Sequence, residues 1–285
     1  MEDQPLIKLF PRAQVDFESP VSRLVQGQSK FGEIQTYFGS KNYMNPVGIE
    51  IEVENVPRAV NAVWDVKKVP PIYWRNDDDG SLRNNGREFI SVPLHGRNID
   101  YAITEMERIF ELGPKMDFSH RTSIHVHVNV STYTHKQMTT LVALYALFEG
   151  LFFSFVEPIR EGNAYCYPIT NLSPNAVAIE ENMKYCAFNL APIARQMTVE
   201  FRHLEGTRDF RKLRRWVQLC AKLVSFVQAQ DPVPMEKQLE DLLSEKAVFP
   251  LAKRIFTGSI VFFTEDQIKD SINRGALWAL SYLKG

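Results

Sequence analysis

Residues 48–54 run Gly48-Ile49-Glu50-Ile51-Glu52-Val53-Glu54. Side chains alternate across a strand, so Glu50, Glu52 and Glu54 project from one face while Ile49, Ile51 and Val53 face a core. Three like charges in a row repel one another unless water or a cation stands in front of them. A solvated outer face would meet that condition alone. Three further strand patterns repeat the arrangement, however. Arg87–Val92 offers Glu88, Ser123–Ser131 offers His125, His127 and Asn129, and Met197–His203 offers Glu200 and Arg202. Taken singly, a His-x-His pair is as often a structural pair as a metal site, and Glu88 is an ordinary surface carboxylate. On one shared sheet they would put carboxylates, two imidazoles and a guanidinium on a single face, which is costly to assemble without a ligand.

Ligand type narrows the cation. Carboxylates with one or two imidazoles suit Mg²⁺ or Mn²⁺, and the absence of thiolates from these strands argues against structural zinc. Several carboxylates can hold more than one ion, as needed where cations bridge a polyphosphate and neutralise a transferring phosphoryl group. A second clue is the run Arg208-Asp209-Phe210-Arg211-Lys212-Leu213-Arg214-Arg215. Asp209 suits an N-cap, but basic residues at a helix N-terminus oppose the macrodipole, whereas an anion there is favoured. Lys212, Arg214 and Arg215 read as a solvated basic face. For Arg208, just beyond the Glu200–Arg202 strand, a solvated role and phosphate or carboxylate binding both stay open.

The elements that must position these groups follow from periodicity. Strands are expected at 47–55, 87–92, 123–131 and 197–203, with a short pattern at 61–66 and a turn-rich stretch at 76–81. Helical spacing covers 98–112, ending at Gly113, then 135–156 with Thr132 or Thr134 as N-cap, and 210–229. A short helix near 175–183 and weaker ones near 234–246 and 265–283 complete the pattern. Residues 1–46 read as an irregular arm, and 47–285 as one catalytic domain with a helical C-terminal part. Single strands between helices, each with one polar and one apolar face, imply an α+β fold. Its mainly antiparallel sheet would be covered on the apolar side by helices 98–112, 135–156 and 210–229.

Composition sets outer limits. Of 285 residues, 45% are hydrophobic, and 33 Lys+Arg against 34 Asp+Glu leave a formal charge of -1, which argues against broad polyanion or nucleic-acid binding. Cys166, Cys186 and Cys220 have no C-x-x-C spacing and read as reduced, buried thiols of a cytoplasmic protein. The N-terminus lacks an apolar signal core, and Leu141–Val156, interrupted by Glu149, is short for a membrane span, so no membrane partner is expected. Oligomeric state is not legible.

Five segments occur in a telling order: Gly48–Glu52, Asp79-Gly80-Ser81-Leu82 leading to Gly86-Arg87-Glu88, His125–Val128, Tyr185–Leu190, and Thr198–Arg202. Over roughly 45–225 this order resembles the amidoligase family of carboxylate–amine ligases, which includes glutamine synthetase and γ-glutamylcysteine ligase. Residues 1–44 and those beyond about 225 carry no such likeness. The resemblance implies an antiparallel sheet curved into a half-barrel around ATP and Mg²⁺ or Mn²⁺. ATP would phosphorylate a substrate carboxylate, and an amine would displace phosphate from the acyl phosphate to leave an amide. It further implies Glu50, Glu52, Glu88, His125 and Glu200 as metal ligands, with Glu88 and Arg202 catalytic and Arg202 contacting the transferred phosphoryl group. His127 and Asn189 would contact substrate or nucleotide, with Arg208 a further candidate. Glu54 lies beyond the shared motif, and its part is open. The partners would be small-molecule or peptide carboxylates and amines, selected by loops at 1–46, 66–86 and 157–175 that carry Tyr73, Trp74, Tyr165 and Tyr167. A metal-dependent hydrolase or isomerase on the same sheet, and a non-catalytic nucleotide-binding relative, are the alternatives.

Overall fold

The structure is a computed structural model that describes residues 45–64, 71–177, 181–229, 241 and 245–284. The arm expected at 1–46 therefore lies almost wholly outside the described residues, as does most of the helix expected at 234–246. Among the described residues, six strands form one open antiparallel sheet: β1 (Val47–Val53), β2 (Trp74–Asp78), β3 (Arg87–Ser91), β4 (Ser123–Asn129), β5 (Phe188–Asn189) and β6 (Thr198–Glu205), ordered β2-β3-β1-β4-β6-β5. Seven α-helices accompany it: α1 (Arg58–Asn61), α2 (Arg97–Glu111), α3 (His135–Phe155), α4 (Ile193–Gln196), α5 (Phe210–Gln228), α6 (Glu245–Ile255) and α7 (Glu265–Lys284).

The apolar face follows the alternation. Ile49, Ile51 and Val53 of β1, Phe89 of β3, Ile124, Val126 and Val128 of β4, and Val199 and Phe201 of β6 are all fully buried. They share one core with the inward stripes of α2, α3 and α5. Aromatic contacts fasten the layers: Phe152 of α3 stacks on Phe201 at 5.4 Å, and Phe89 meets Phe110 of α2 edge-on at 6.2 Å. Phe152 also meets Trp216 of α5 edge-on at 5.7 Å. Each such side chain contributes roughly 1.5–3 kcal/mol by leaving water.

Helix starts are set by side chains that satisfy otherwise unpaired N–H groups. Of the two candidates for α3, Thr134 is the cap. Its hydroxyl accepts from Gln137 N at 3.3 Å while Gln137 Oε1 accepts from Thr134 N at 2.9 Å. Asp209 caps α5 by accepting from Arg211 N and Lys212 N at 3.0 and 2.9 Å. By length and composition α3 could cross a membrane, but 72% of its apolar window is buried inside the fold, as in a core helix. The helix α7 crosses it closely: a Cβ on Gly275 would lie 2.1 Å from the Ala146 carbonyl oxygen.

Two expectations are corrected. The stretch at 76–81 holds the last three residues of β2 before the turn begins at Asp79, because an edge strand tolerates the charges that made it look like a turn. Trp74, expected in a loop, is buried in that strand and donates through Nε1 to Ala102 O at 2.7 Å. A helix also spans Glu245–Ile255, with Pro250 inside it, mostly beyond the helix expected at 234–246.

Candidate metal centre

Register turns the separate strand faces into rows. Asp77, Glu88 and Glu52 lie opposite one another across β2, β3 and β1. The next row is Arg75, Ile90, Glu50 and His125, and the one after is Gly48, His127, Glu200 and Asn189. The expected residues Glu50, Glu52, Glu88, His125, His127 and Glu200 thus share one face.

Within it, three groups bring their ligand atoms within 4.8 Å of one another: Glu52 with Asp79 and Glu88, Glu50 with Glu88 and His125, and Glu50 with His127 and Glu200. Neighbouring groups share Glu88 and then Glu50, so the three candidate cation positions form a continuous line. Asp79, which the strand patterns did not assign, reaches the line from the turn after β2. That turn is tied down by Glu54, whose Oε1 accepts from Arg83 N at 3.0 Å, and by Asn85 Nδ2 donating to Val56 O at 2.5 Å. The open question about Glu54 resolves here: it is buried and anchors the turn.

Hydrogen bonding fixes how the histidines face the carboxylates. Ser123 Oγ donates to Glu52 Oε2 at 2.8 Å, so its oxygen is left to accept from His125 Nε2–H at 2.7 Å. In that neutral tautomer the Nδ1 lone pair points at Glu50 Oε2 and Glu200 Oε1, 3.2 and 3.3 Å away. A lone pair facing two carboxylates is repulsive unless a proton or a metal ion lies between them. His127 repeats the pattern, with Nδ1 3.0 Å from Thr198 Oγ1 and Nε2 3.3 Å from Glu50 Oε1.

Protonation tells the same story. Burial drives the Glu88 carboxyl up to about 9, reinforced by Glu50, Glu52, Asp79 and Asp77 around it. Burial disfavours the His127 imidazolium, but the Glu50 carboxylate beside it, with help from Glu200, holds its pKa above the ordinary histidine value. Burial alone would raise Glu50, yet His127 and His125 pull it well below the usual carboxylate range. For Glu200, Arg202 and the two histidines outweigh burial in the same direction. Protons therefore stand where divalent cations would fit, and the all-oxygen-and-nitrogen donor set suits Mg²⁺ or Mn²⁺.

A cleft of about 270 Å³ lies over Glu50, Glu52, Asp79 and Glu88, walled by Arg121, Arg202, Tyr165 and Tyr185. Arg202 Nη1 donates to Glu200 Oε1 at 2.5 Å and Nε donates to Tyr165 O at 3.3 Å, which holds the guanidinium against the cleft. Arg121, on the loop before β4, brings a second guanidinium whose buried Nε has no hydrogen-bond partner. Strand parity says nothing about a loop residue, so this one was missed. Asn189 touches the site indirectly, donating to Glu200 Oε2 at 2.5 Å while its Oδ1 accepts from Ala191 N. Arg208 is not brought to the site at all. Its guanidinium donates to Phe110 O, Gly113 O and Met116 O and lies 5.3 Å from the Phe110 ring centroid, capping the C-terminal end of α2.

Behind the cleft runs a buried polar chain. Tyr145 Oη donates to Glu149 Oε1 at 2.9 Å, so the His203 Nε2 that lies 2.7 Å from it must be the donor in their bond. Glu149 also accepts from Ile169 N, Thr170 N and Thr170 Oγ1 at 2.8, 3.1 and 2.5 Å, which pins the loop approaching Tyr185. Burial raises the Glu149 carboxyl, and those donors oppose the rise. Burial, aided by Arg160, keeps His203 neutral by lowering it well below the ordinary value. Where β4–β6 pairing slips by one residue, Arg160 donates to His203 O and Arg202 O at 2.8 and 2.6 Å. The i, i+4 spacing of Tyr145 and Glu149 inside an apolar helix was the available signal for this network. Compared with known proteins, the chain matches no family model and no curated protein.

Proposed function

We propose that the protein is an ATP-dependent carboxylate–amine ligase of the amidoligase kind, with a glutamine-synthetase-like sheet. The observation that carries this reading is the line of three candidate cation positions sharing Glu88 and Glu50, next to a cleft flanked by two arginines. A single structural ion would not need so long a row of carboxylates, whereas a polyphosphate chelated by Mg²⁺ would.

Glu50, Glu52, Asp79, Glu88, His125, His127 and Glu200 are the residues that would hold the ions. When bound, Mg²⁺ or Mn²⁺ would neutralise phosphoryl oxygens and make the γ-phosphate a better electrophile. The chain's own contribution is orientation and charge. Arg202, braced by Glu200 and the Tyr165 carbonyl, presents donors to the γ-phosphoryl group as negative charge builds on it. Arg121 does the same from the opposite loop. A carboxylate resists attack because its charge repels nucleophiles and oxide leaves poorly, and phosphorylation removes both obstacles. Ser123 and Thr198 fix the two imidazole orientations, so that ligand geometry is set before substrate arrives. Three buried, unpaired thiols agree with a cytoplasmic setting.

The test is Mg·ATP-dependent ADP release on pooled carboxylates and amines, with mass spectrometry of the amide. Glu50→Ala and Glu200→Ala should each abolish turnover, and full activity in either variant would sink the assignment. A second reading, a metal-dependent hydrolase or isomerase, draws on the group of two carboxylates and one imidazole at Glu50, His127 and Glu200. Turnover without nucleotide would favour it.

A further inference from the structure

At the opposite end of the polar face from Asp79, a second cavity of about 100 Å³ opens beside His127. Gly48 gives it room, since a Cβ added there would reach only the His127 Cβ, at 3.6 Å. Its walls include Pro46, Val47, Ile90 and Pro93, so most of the lining is apolar. Ile90 is the informative residue. Strand parity puts it on the same face as Glu88, and register places it between Arg75 of β2 and Glu50 of β1. An isoleucine thus interrupts an otherwise charged row where that row meets the cavity. Arg75, 2.9 Å from Asp77, supplies positive charge at one edge, while Glu50 and His127 stand at the other.

Size and lining together define a ligand. An apolar cavity of about 150 Å³ accommodates benzene. A space of about 100 Å³ therefore suits an alkyl body of roughly three to five carbons. Most of the exposed surface is apolar. Beyond Arg75, Glu50 and His127, the polar groups in the lining are the neutral side chains of Ser91, Asn129, Gln196 and Thr198. A second charge on the ligand would therefore find no further oppositely charged partner there.

We infer that this cavity is the acyl-substrate subsite and that it selects a short aliphatic monocarboxylate over amino acids and dicarboxylates. The carboxylate would lie between Arg75 and a cation held by Glu50, His127 and Glu200, with the alkyl chain against Ile90, Pro46 and Pro93. That the bound carboxylate is also the one activated rests on the ligase reading above; its binding does not.

The test uses the whole chain loaded with Mn²⁺ and no nucleotide, reading the paramagnetic relaxation of the protons of acetate, butyrate, pentanoate and glutarate. Butyrate or pentanoate should bind at least tenfold tighter than acetate or glutarate. Gly48→Leu should remove pentanoate binding while Mn²⁺ affinity stays within about threefold by electron paramagnetic resonance. Ile90→Ala should lengthen the preferred acid by one or two carbons, and this variant decides the matter if Gly48→Leu does not fold. Equal binding of all four acids, pentanoate binding unchanged by Gly48→Leu, or an unaltered preference in Ile90→Ala would each overturn the subsite. ADP release that ignores chain length would leave the ligase reading standing and remove this one. A chain-length preference with no nucleotide turnover would do the reverse.

Discussion

Replacing Glu88 with glutamine should stabilise the metal-free protein, and the size of the gain follows from where the proton sits. In the unfolded chain this carboxyl ionises near its ordinary value of 4.5, whereas among Glu50, Glu52, Asp79 and Asp77 it holds its proton to about pH 9. The folded state thus binds the extra proton. Below pH 4.5 both states are protonated and the group costs nothing. As pH rises towards 9, only the unfolded state releases its proton, and stability drains away. At pH 7 the gap is two and a half pH units, on the order of 3 kcal/mol. Glutamine keeps the shape and does not titrate. Urea unfolding in EDTA should therefore show Glu88→Gln matching the parent near pH 4.5 and exceeding it by about 3 kcal/mol at pH 7.

Magnesium should close most of that gap. Binding must expel the Glu88 proton, so affinity should rise about tenfold per pH unit between pH 7 and 9. An ion present at about 100 times its Kd adds about 2.7 kcal/mol to the parent. The glutamine variant should gain little of this. If Glu88→Gln is no more stable than the parent in EDTA at pH 7, or if Mg²⁺ stabilises both equally, the cluster is not a cation site strained by its vacant charges.

Other perturbations probe the surroundings. Glu149→Ala strips the acceptor from four donors at once and should cost about 3–5 kcal/mol in urea unfolding, with faster amide exchange at Ile169 and Thr170. A cost below 1 kcal/mol would mean that water replaces the carboxylate. Gly275→Val drives side-chain atoms into the Ala146 carbonyl and should lower Tm by several degrees, at a cost of about 1–3 kcal/mol or more. Arg208→Met should cost about 1–2 kcal/mol through the Phe110, Gly113 and Met116 carbonyls it holds at and just after the end of α2, yet leave Mg·ATP affinity within about twofold. A large loss of nucleotide affinity would restore it to the site. Arg202→Met should slow Mg·ATP-dependent turnover by about 10²–10³ while the sheet remains folded by circular dichroism.

What the sequence revealed depended on locality. Alternation is a property of a strand by itself, so Glu50, Glu52, Glu88, His125, His127 and Glu200 could be placed on polar faces before any pairing was known. Asp79 and Arg121 were not legible as site residues, because they reach the cleft from turns where no periodicity orients a side chain. The edge strand at Trp74–Asp78 was hidden because three successive polar residues have the composition of a turn, and only pairing with Arg87–Ser91 reveals it. Arg208 misled for a related reason. Its basic neighbours suggested an anion, but its partners are neutral backbone carbonyls remote in sequence. His203 falls on the apolar side by the same alternation and looks like a flaw until Tyr145 is seen to receive its proton.

The rows across the sheet have a consequence for how the chain avoids folding wrongly. If β1 slipped by one residue against its neighbours, Glu50 and Glu52 would turn into the apolar core while Ile49 and Ile51 would meet the polar face. Burying even one unpaired carboxylate there would cost several kcal/mol, a large part of a domain's whole stability. The residues placed to hold cations thus also proofread the strand pairing. A site variant that neutralises them gives up both a ligand and part of the protection against a mispaired sheet.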